Sequence, residues 1–248
     1  MPLNRVRFMN TYIDNITMDE AIGYIEECIV TRKYSHVITP NVDQIVRIEY
    51  DEKFREICNH AELLLVDGHP LMWLGKIYGM PFKEKICGSD LVPQLCKVAA
   101  DKGHSIFLLG AAPGVAQIAA EKLQTSYPGL KIAGTYSPPI GFENNKEELE
   151  NINRILLNSG ADMLFVGMGV PKQDIFIYEN MESYKIPVSF SIGGTIDFIA
   201  GRQKRAPKWV NMIGMEWFYR FIHNPRRMFR RYFVDDMKIF RLAWKYKP

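Results

Sequence analysis

Leu63-Leu64-Leu65-Val66-Asp67-Gly68-His69-Pro70 holds four apolar residues in a row, stopped abruptly by an acid and a glycine. A short apolar run without polar alternation predicts a strand buried on both faces, as inside a parallel sheet. In an open sheet of that kind, ligands bind in the crevice beyond the carboxyl ends of the strands. Asp67 stands at such an end, and Gly68 can turn the chain away from it. That is the position of a catalytic group. The same residue could instead cap the helix that begins near Pro70.

The pattern repeats along the chain. Ser35 to Thr39, Ser105 to Leu109, Ile132 to Tyr136, Met163 to Val166 and Val188 to Ile192 all read as strands. Between them lie helical stretches. Thr17-Met18-Asp19-Glu20 is a capping box continued by Ile22, Ile25, Cys28 and Ile29 on one face. Val42, Ile45, Val46 and Ile48 begin a second helix, and Leu71 to Tyr78 form a third. Others run from Gly88 to about Lys102, onward from Gly114 to about Ser126, from Glu147 to Asn158, and on from Gln173. Val6, Phe8, Tyr12 and Ile13 suggest a short opening hairpin. Strands alternating with helices at this spacing predict βαβ units, hence an α/β fold with a helix-flanked parallel sheet.

The strand ends share a chemistry: Thr39/Asn41, Asp67/Gly68, Gly110/Gly114, Gly167/Gly169/Gln173 and Gly193/Gly194. Small residues let a ligand approach the backbone, and helix N-termini offer free N–H groups to anions. Backbone geometry alone explains any one such glycine. Five turns in succession, several with amide or hydroxyl neighbours, point to a nucleotide or sugar-phosphate crevice. None is a GxGxxG or GxxxxGK[ST], which argues against dinucleotide and P-loop sites.

Charge divides the chain. Of 248 residues, 47% are hydrophobic and 24% charged, ordinary globular values. The net charge of +3 hides thirteen Lys/Arg against three Asp/Glu from Arg202 onward, and eighteen against twenty-five before it. This predicts an acidic body over residues 1–200 and a basic appendage over 201–248. In the appendage, Trp209, Trp217, Phe218 and Phe221 precede Arg226-Arg227-Met228-Phe229-Arg230-Arg231. Helices that combine aromatic residues with clustered arginine suit the headgroup layer of an anionic membrane. Their arginines can also clamp a diphosphate, and the alternative is an apolar face docked on the body. No recognition-helix, RRM or OB pattern accompanies the basic residues, so nucleic acid is not expected. No run approaches the ~20 apolar residues of a membrane span, and the first ten residues lack a signal-peptide core. Cys28, Cys58, Cys87 and Cys96 have no zinc or CxxC spacing and fit free thiols in a reducing cytoplasm.

The segments Thr39-Pro40-Asn41, Val66-Asp67-Gly68, Gly88-Ser89-Asp90-Leu91 and Gly167-Met168-Gly169-Val170-Pro171-Lys172-Gln173 carry a resemblance. So do Gly193-Gly194-Thr195, Gly201-Arg202-Gln203-Lys204-Arg205-Ala206-Pro207 and Glu216-Trp217-Phe218-Tyr219-Arg220. In this order they make the sequence similar to the bacterial WecG/TagA/CpsF glycosyltransferases over nearly its whole length.

The resemblance implies a Rossmann-like domain and an inverting, metal-independent transfer from a UDP-sugar to a sugar on a polyprenyl diphosphate. It implies peripheral attachment to the cytoplasmic face of the cell membrane, in the synthesis of teichoic acid or another surface polysaccharide. The chain itself has no Asp-x-Asp, the usual metal-holding signature of other nucleotide-sugar transferases. By position, Asp67 is implied as general base, with Thr39 and Asn41 as polar groups beside it. Gln173, Gly68, Gly110, Gly114, Gly167, Gly169 and Gly194 would line the substrate site, and Arg220, Arg227 and Arg230 would meet the diphosphate.

Lys85 stands where the family has an arginine, and an ammonium cannot reproduce a bidentate contact. Asp174 stands where glutamate is usual. Trp73, Leu74 and Ile77 leave open a contact between copies of the chain or a seat for the tail. A non-catalytic nucleotide-sugar-binding module on the same fold is the alternative function.

Overall fold

A computed structural model describes residues 3–203, 206–207, 210, 214–223 and 225–247, and of Glu216, Arg220, His223 and Arg227 the backbone alone. A hairpin of β1 (Arg5–Phe8) and β2 (Thr11–Asp14) opens the chain and is antiparallel. The main sheet contains β3 (Ser35–Ile38), β4 (Leu63–Leu64), β5 (Ser105–Gly110), β6 (Lys131–Tyr136), β7 (Met163–Gly167) and β8 (Val188–Ser191). Its order is β4-β3-β8-β7-β5-β6, and every pairing is parallel. The first two strands of this sheet make one edge, the next two the other, and the last two fill the centre. In dinucleotide-binding sheets, by contrast, the two halves of the chain lie side by side.

Two apolar layers cover the sheet. On one face pack α1 (Met18–Thr31), α5 (Gly88–Lys102), α6 (Val115–Ser126) and α9 (Thr195–Ala200). On the other lie α2 (Val42–Tyr50), α3 (Glu52–His60), α4 (His69–Ile77), α7 (Lys146–Ser159) and α8 (Lys172–Tyr184). The Thr17/Glu20 capping box of α1 forms as expected, with Glu20 N–H donating to Thr17 Oγ1 at 3.3 Å and Thr17 N–H to Glu20 Oε2 at 2.7 Å. All four cysteines are free and buried.

The organising run is buried on both faces, but at an edge of the sheet. Leu63 and Leu65 join the first layer while Leu64 and Val66 join the second, all at most 3% exposed. An open strand edge would leave unpaired backbone groups. Here the Leu64 N–H donates to Asp14 Oδ2 at 2.8 Å, and Ile86 N–H donates to the Val66 carbonyl at 2.8 Å. Arg5 binds Asp14 through Nε at 2.9 Å and Nη2 at 2.8 Å, and also donates to the Ala61 and Glu62 carbonyls. The opening hairpin therefore acts as a polar cover for the edge. Side-chain alternation is the same at an edge as in the centre, so the apolar run could not reveal this.

Beyond Gly201 the described elements are α10 (Glu216–His223), α11 (Pro225–Arg230), a π-helical turn (Arg231–Asp235) and α12 (Lys238–Lys245). Ile239 and Leu242 of α12 enter the second layer. Tyr78 Oη donates to the Ala243 carbonyl at 2.8 Å, while Lys245 and Tyr246 both reach Glu49. Burial works against the Glu49 carboxylate, yet bonds from Lys245, Asn10 and Tyr246 hold its pKa below the usual value. The tail thus docks on the body, and it also keeps an apolar outer face. Trp244 is 74% exposed and Phe240 66%, with Trp217, Phe218, Phe229 and Phe233 exposed as well. Lys204, Arg205, Lys208, Trp209 and Asn224 lie outside the described residues. No helix among the described residues is long and apolar enough to cross a membrane.

Candidate functional site

Parallel strands bring their carboxyl ends, and the N-termini of the helices after them, to one edge of the sheet. A cavity of about 840 Å³ opens there. Its wall includes Thr39 and Asn41 after β3, Asp67 after β4, Gly110 after β5, Gly167, Gly169 and Gln173 after β7, and Gly194 after β8. Eight of the residues singled out from sequence therefore converge on one space.

Local structure fixes several of these residues. Asp67 N–H donates to the Pro40 carbonyl at 3.0 Å, which ties the Asp67 loop to the Thr39–Asn41 loop. Helix α4 is capped by Gly68, at φ 103°, with no side-chain cap bond. The N-cap position considered for Asp67 is therefore held by Gly68. Asn41 does cap α2: its Oδ1 accepts from Gln44 N–H at 3.3 Å, and Gln44 Oε1 accepts from Asn41 N–H at 3.2 Å. What Asn41 can offer a ligand is its Nδ2 amide. Gln173 is 1% exposed, and its Oε1 accepts the Gly193 N–H at 3.1 Å, joining the loops after β7 and β8.

Two glycines are required by the close approach of neighbouring strand ends. A Cβ on Gly110, whose φ is 112°, would sit 2.5 Å from the Gly167 carbonyl oxygen, and one on Gly167 would sit 2.8 Å from that of Gly193. Gly110→Ala is expected to destabilise the protein by at least about 2 kcal/mol, from left-handed strain and overpacking together. A thermal melt within 1 °C of wild type would refute this account.

Lys85 lies behind Asp67, where its Nζ donates to Asp90 Oδ2 at 3.1 Å and to Cys87 Sγ at 3.8 Å. Burial works against this ammonium, but Cys87, Asp90 and Asp67 together hold its pKa above the usual value. Cys87 caps α5 without a side-chain cap bond and donates to Asp90 Oδ2 at 2.9 Å. Burial, reinforced by Asp67, pushes its thiol up to about 12. The thiol therefore stays protonated beside the cavity. Gly68, Lys85 and Gly114, expected to line the substrate site, are not part of the cavity wall, whereas Cys87, Gly88 and Ser89 are.

The tail supplies one end of the site. Arg231 lines the cavity, with Nη2 donating to Asn41 Oδ1 at 3.4 Å and lying 3.9 Å from Asp43 Oδ2. Its Nε is buried with no hydrogen-bond partner among the described residues. Arg230, the residue expected there, is instead 85% exposed in its side chain and lies 3.8 Å from Asp235 Oδ2. A helix rotates about 100° per residue, so adjacent arginines cannot share a face. The side chains of Arg220 and Arg227 lie outside what the structure describes.

Sequence reasoning missed several wall residues: Ser191, Asp43, Tyr219, Met228 and the loop Pro138-Pro139-Ile140. At that end Glu143 and Lys172, both in the wall, form an ion pair. Adjacency to Thr39/Asn41 could have flagged Asp43, while the others carry no local signal. Asp197 also lines the cavity. Among the described residues no group of three or more His, Cys, Asp or Glu is placed to hold a metal ion.

Comparison with known proteins places these features. A relative from Bacillus subtilis, an N-acetylglucosaminyldiphosphoundecaprenol N-acetyl-beta-D-mannosaminyltransferase, is 30% identical over 214 residues, covering 86% of this chain and 81% of its own. Proteins of the same name from Bacillus spizizenii and Staphylococcus aureus are 28% and 27% identical, each covering 91% of this chain and 84% and 87% of their own. The sequence pattern of the glycosyl transferase WecG/TagA/CpsF family matches residues 6–248, and the chain belongs to that family.

Proposed function

We propose that this chain is an inverting, metal-independent glycosyltransferase that moves a hexose or N-acetylhexosamine from a UDP-sugar to a sugar on a polyprenyl diphosphate. The product would serve a teichoic acid or another surface polysaccharide. The observation that carries the reading is the convergence of Asp67, Thr39, Asn41 and Gln173 on one cavity at the carboxyl ends of the parallel strands. An acceptor hydroxyl attacking the anomeric carbon needs a base, correct placement and stabilisation of departing UDP. Asp67 takes the hydroxyl proton, Thr39 and the Asn41 amide hold the reacting sugars, and Arg231 faces the diphosphate. Gln173 presents its Nε2 to a sugar.

In this reading residues 1–200 form the catalytic unit, Rossmann-like in its parallel strands and strand-end crevice though not in strand order. Residues 201–248 close the site and rest on the inner face of the cell membrane. The exposed Phe240 and Trp244, beside Arg241 and Lys245, support an interfacial seat on anionic lipid. No resident cofactor is involved. The same enzyme names carried by the relatives favour an N-acetylmannosamine donor.

The test is UDP release from a panel of UDP-sugars, with and without a polyprenyl-diphosphate-linked sugar, in the presence of anionic vesicles. Acceptor-dependent release from one donor is expected. Tight UDP-sugar binding without release from any donor would favour a binding module instead.

A further inference from the structure

Beneath the cavity lies a polar cluster that the proposed reaction does not use. His36 of β3 is 2% exposed and Asp174 of α8 fully buried, with 4.0 Å between His36 Nε2 and Asp174 Oδ1. Between them and the cavity stands Ser191, at the end of β8, whose Oγ is 2.9 Å from His36 Nε2. Ser191 is 5% exposed and lines the cavity. His36 Nδ1 and both Asp174 carboxyl oxygens are buried and take part in no well-formed hydrogen bond among the described residues. The cluster is therefore under-satisfied where buried polar groups are normally paired.

We propose that Ser191 positions the bound ligand, and that the protonation of Asp174 turns the Ser191 hydroxyl toward or away from the cavity while His36 holds its oxygen from behind. The proposal rests on the UDP-sugar reading of the site. Its basis is a count of protons. A neutral imidazole has one N–H, which can donate to Ser191 Oγ through Nε2. The serine then has a single hydrogen to give. When Asp174 is a carboxylate, that hydrogen turns to it. When Asp174 is a carboxylic acid it needs no donor, and the hydroxyl can donate into the cavity, to a sugar hydroxyl or a phosphate oxygen.

The electrostatics fit this division. Burial pushes the His36 imidazole down to about 3, so the ring is neutral at working pH. Burial pushes Asp174 up to about 7, against the opposing pull of the Ser191 hydroxyl, the helix backbone and Arg47. The groups facing Asp174 are His36 from β3, Ser191 from β8, Arg47 from α2 and Cys58 from α3. Cys58 is itself held protonated by burial and by Asp174. Asp174 is thus the group in this cluster that changes charge near neutrality.

The experiment measures the affinity of the full chain for UDP-sugar and for UDP across pH 6 to 8, for wild type, Ser191→Ala and Asp174→Asn. One neutral hydrogen bond corresponds to about 3- to 10-fold in affinity. Wild type is expected to lose about that factor between pH 6 and 8, and both variants to be flat relative to it. Reading each curve against Ser191→Ala cancels the titration of UDP's own phosphate. A loss seen with both ligands places the contacted oxygen on UDP, and one seen only with UDP-sugar places it on the sugar.

Stability provides a check that needs no activity. The folded state holds the Asp174 proton up to about pH 7, and the unfolded chain releases it near 3.9, so stability contributed by Asp174 falls as pH rises between these values. Neutral buried His36 works oppositely, its contribution falling as pH drops from about 6.5 toward 3. The slopes oppose each other in wild type, so the Asp174→Asn melting temperature should rise with pH from about 4 to 6.5. A pH dependence of ligand affinity as large in Ser191→Ala as in wild type overturns the proposal, even where Asp174→Asn does not fold. Glycosyl transfer with pH-flat binding would sink this inference alone, and pH-dependent binding without transfer would sink only the enzyme reading.

Discussion

Asp67→Asn is expected to lower kcat by about 10²- to 10⁴-fold, the range a general base contributes, while leaving UDP-sugar affinity nearly unchanged. The substitution preserves shape, and the backbone bond from Asp67 N–H to the Pro40 carbonyl is indifferent to it. What it removes is the carboxylate at that strand end able to accept a proton, since Cys87 beside it is held as a thiol. Lys85, whose own pKa is kept high partly by Asp67, remains charged in either form. Turnover is read as UDP release and binding by calorimetry. Transfer at a near wild-type rate would move the base elsewhere in the cavity, with Asp43 and Asp197 the next carboxylates to test.

Arg231→Ala should cost about 10²- to 10³-fold in kcat, the scale on which a preorganised donor stabilises a leaving group. Its Nε is buried without a hydrogen-bond partner among the described residues, and its Nη2 is already anchored on Asn41. The anchored guanidinium therefore already stands at the cavity wall before diphosphate charge develops. Arg231→Lys should recover little, because one ammonium cannot keep the Asn41 contact and meet the diphosphate together. Arg230→Ala, removing a side chain 85% exposed, should change kcat on a soluble acceptor far less. Equal losses from the two alanine variants would contradict the assignment of Arg231.

The contrast between Arg230 and Arg231 reflects the course of the tail helices. Arginines three and seven apart share a face only along an unbroken helix of 3.6 residues per turn. In the structure α10 ends at His223, α11 begins at Pro225, and a wider π-helical turn starts at Arg231. The wider turn shifts the helical phase of the residues beyond it. Ser191 was invisible for another reason: it sits in Val188–Ser191 as one more strand residue, and its partners His36 and Asp174 are 155 and 17 residues away.

Much of the remainder was local and hence readable. Apolar runs ending in Thr-Pro-Asn, Asp-Gly or Gly-x-Gly mark both a buried strand and the turn that ends it, and a parallel sheet must gather such turns at one edge. That put Thr39, Asn41, Asp67 and Gln173 together before any coordinates. The change in charge and aromatic content at Gly201 is likewise a local feature of the sequence. By itself the sequence determined the βαβ repeat, the capping of α1 and the strand-end chemistry, since each depends on residues a few positions apart. Only the tertiary structure decided the strand order, the edge place of Leu63–Leu64 under the Asp14–Arg5 cover, the inward turn of Arg231 and the buried cluster behind Ser191. Those depend on which distant surfaces bury one another, and burial is a property of the packed whole.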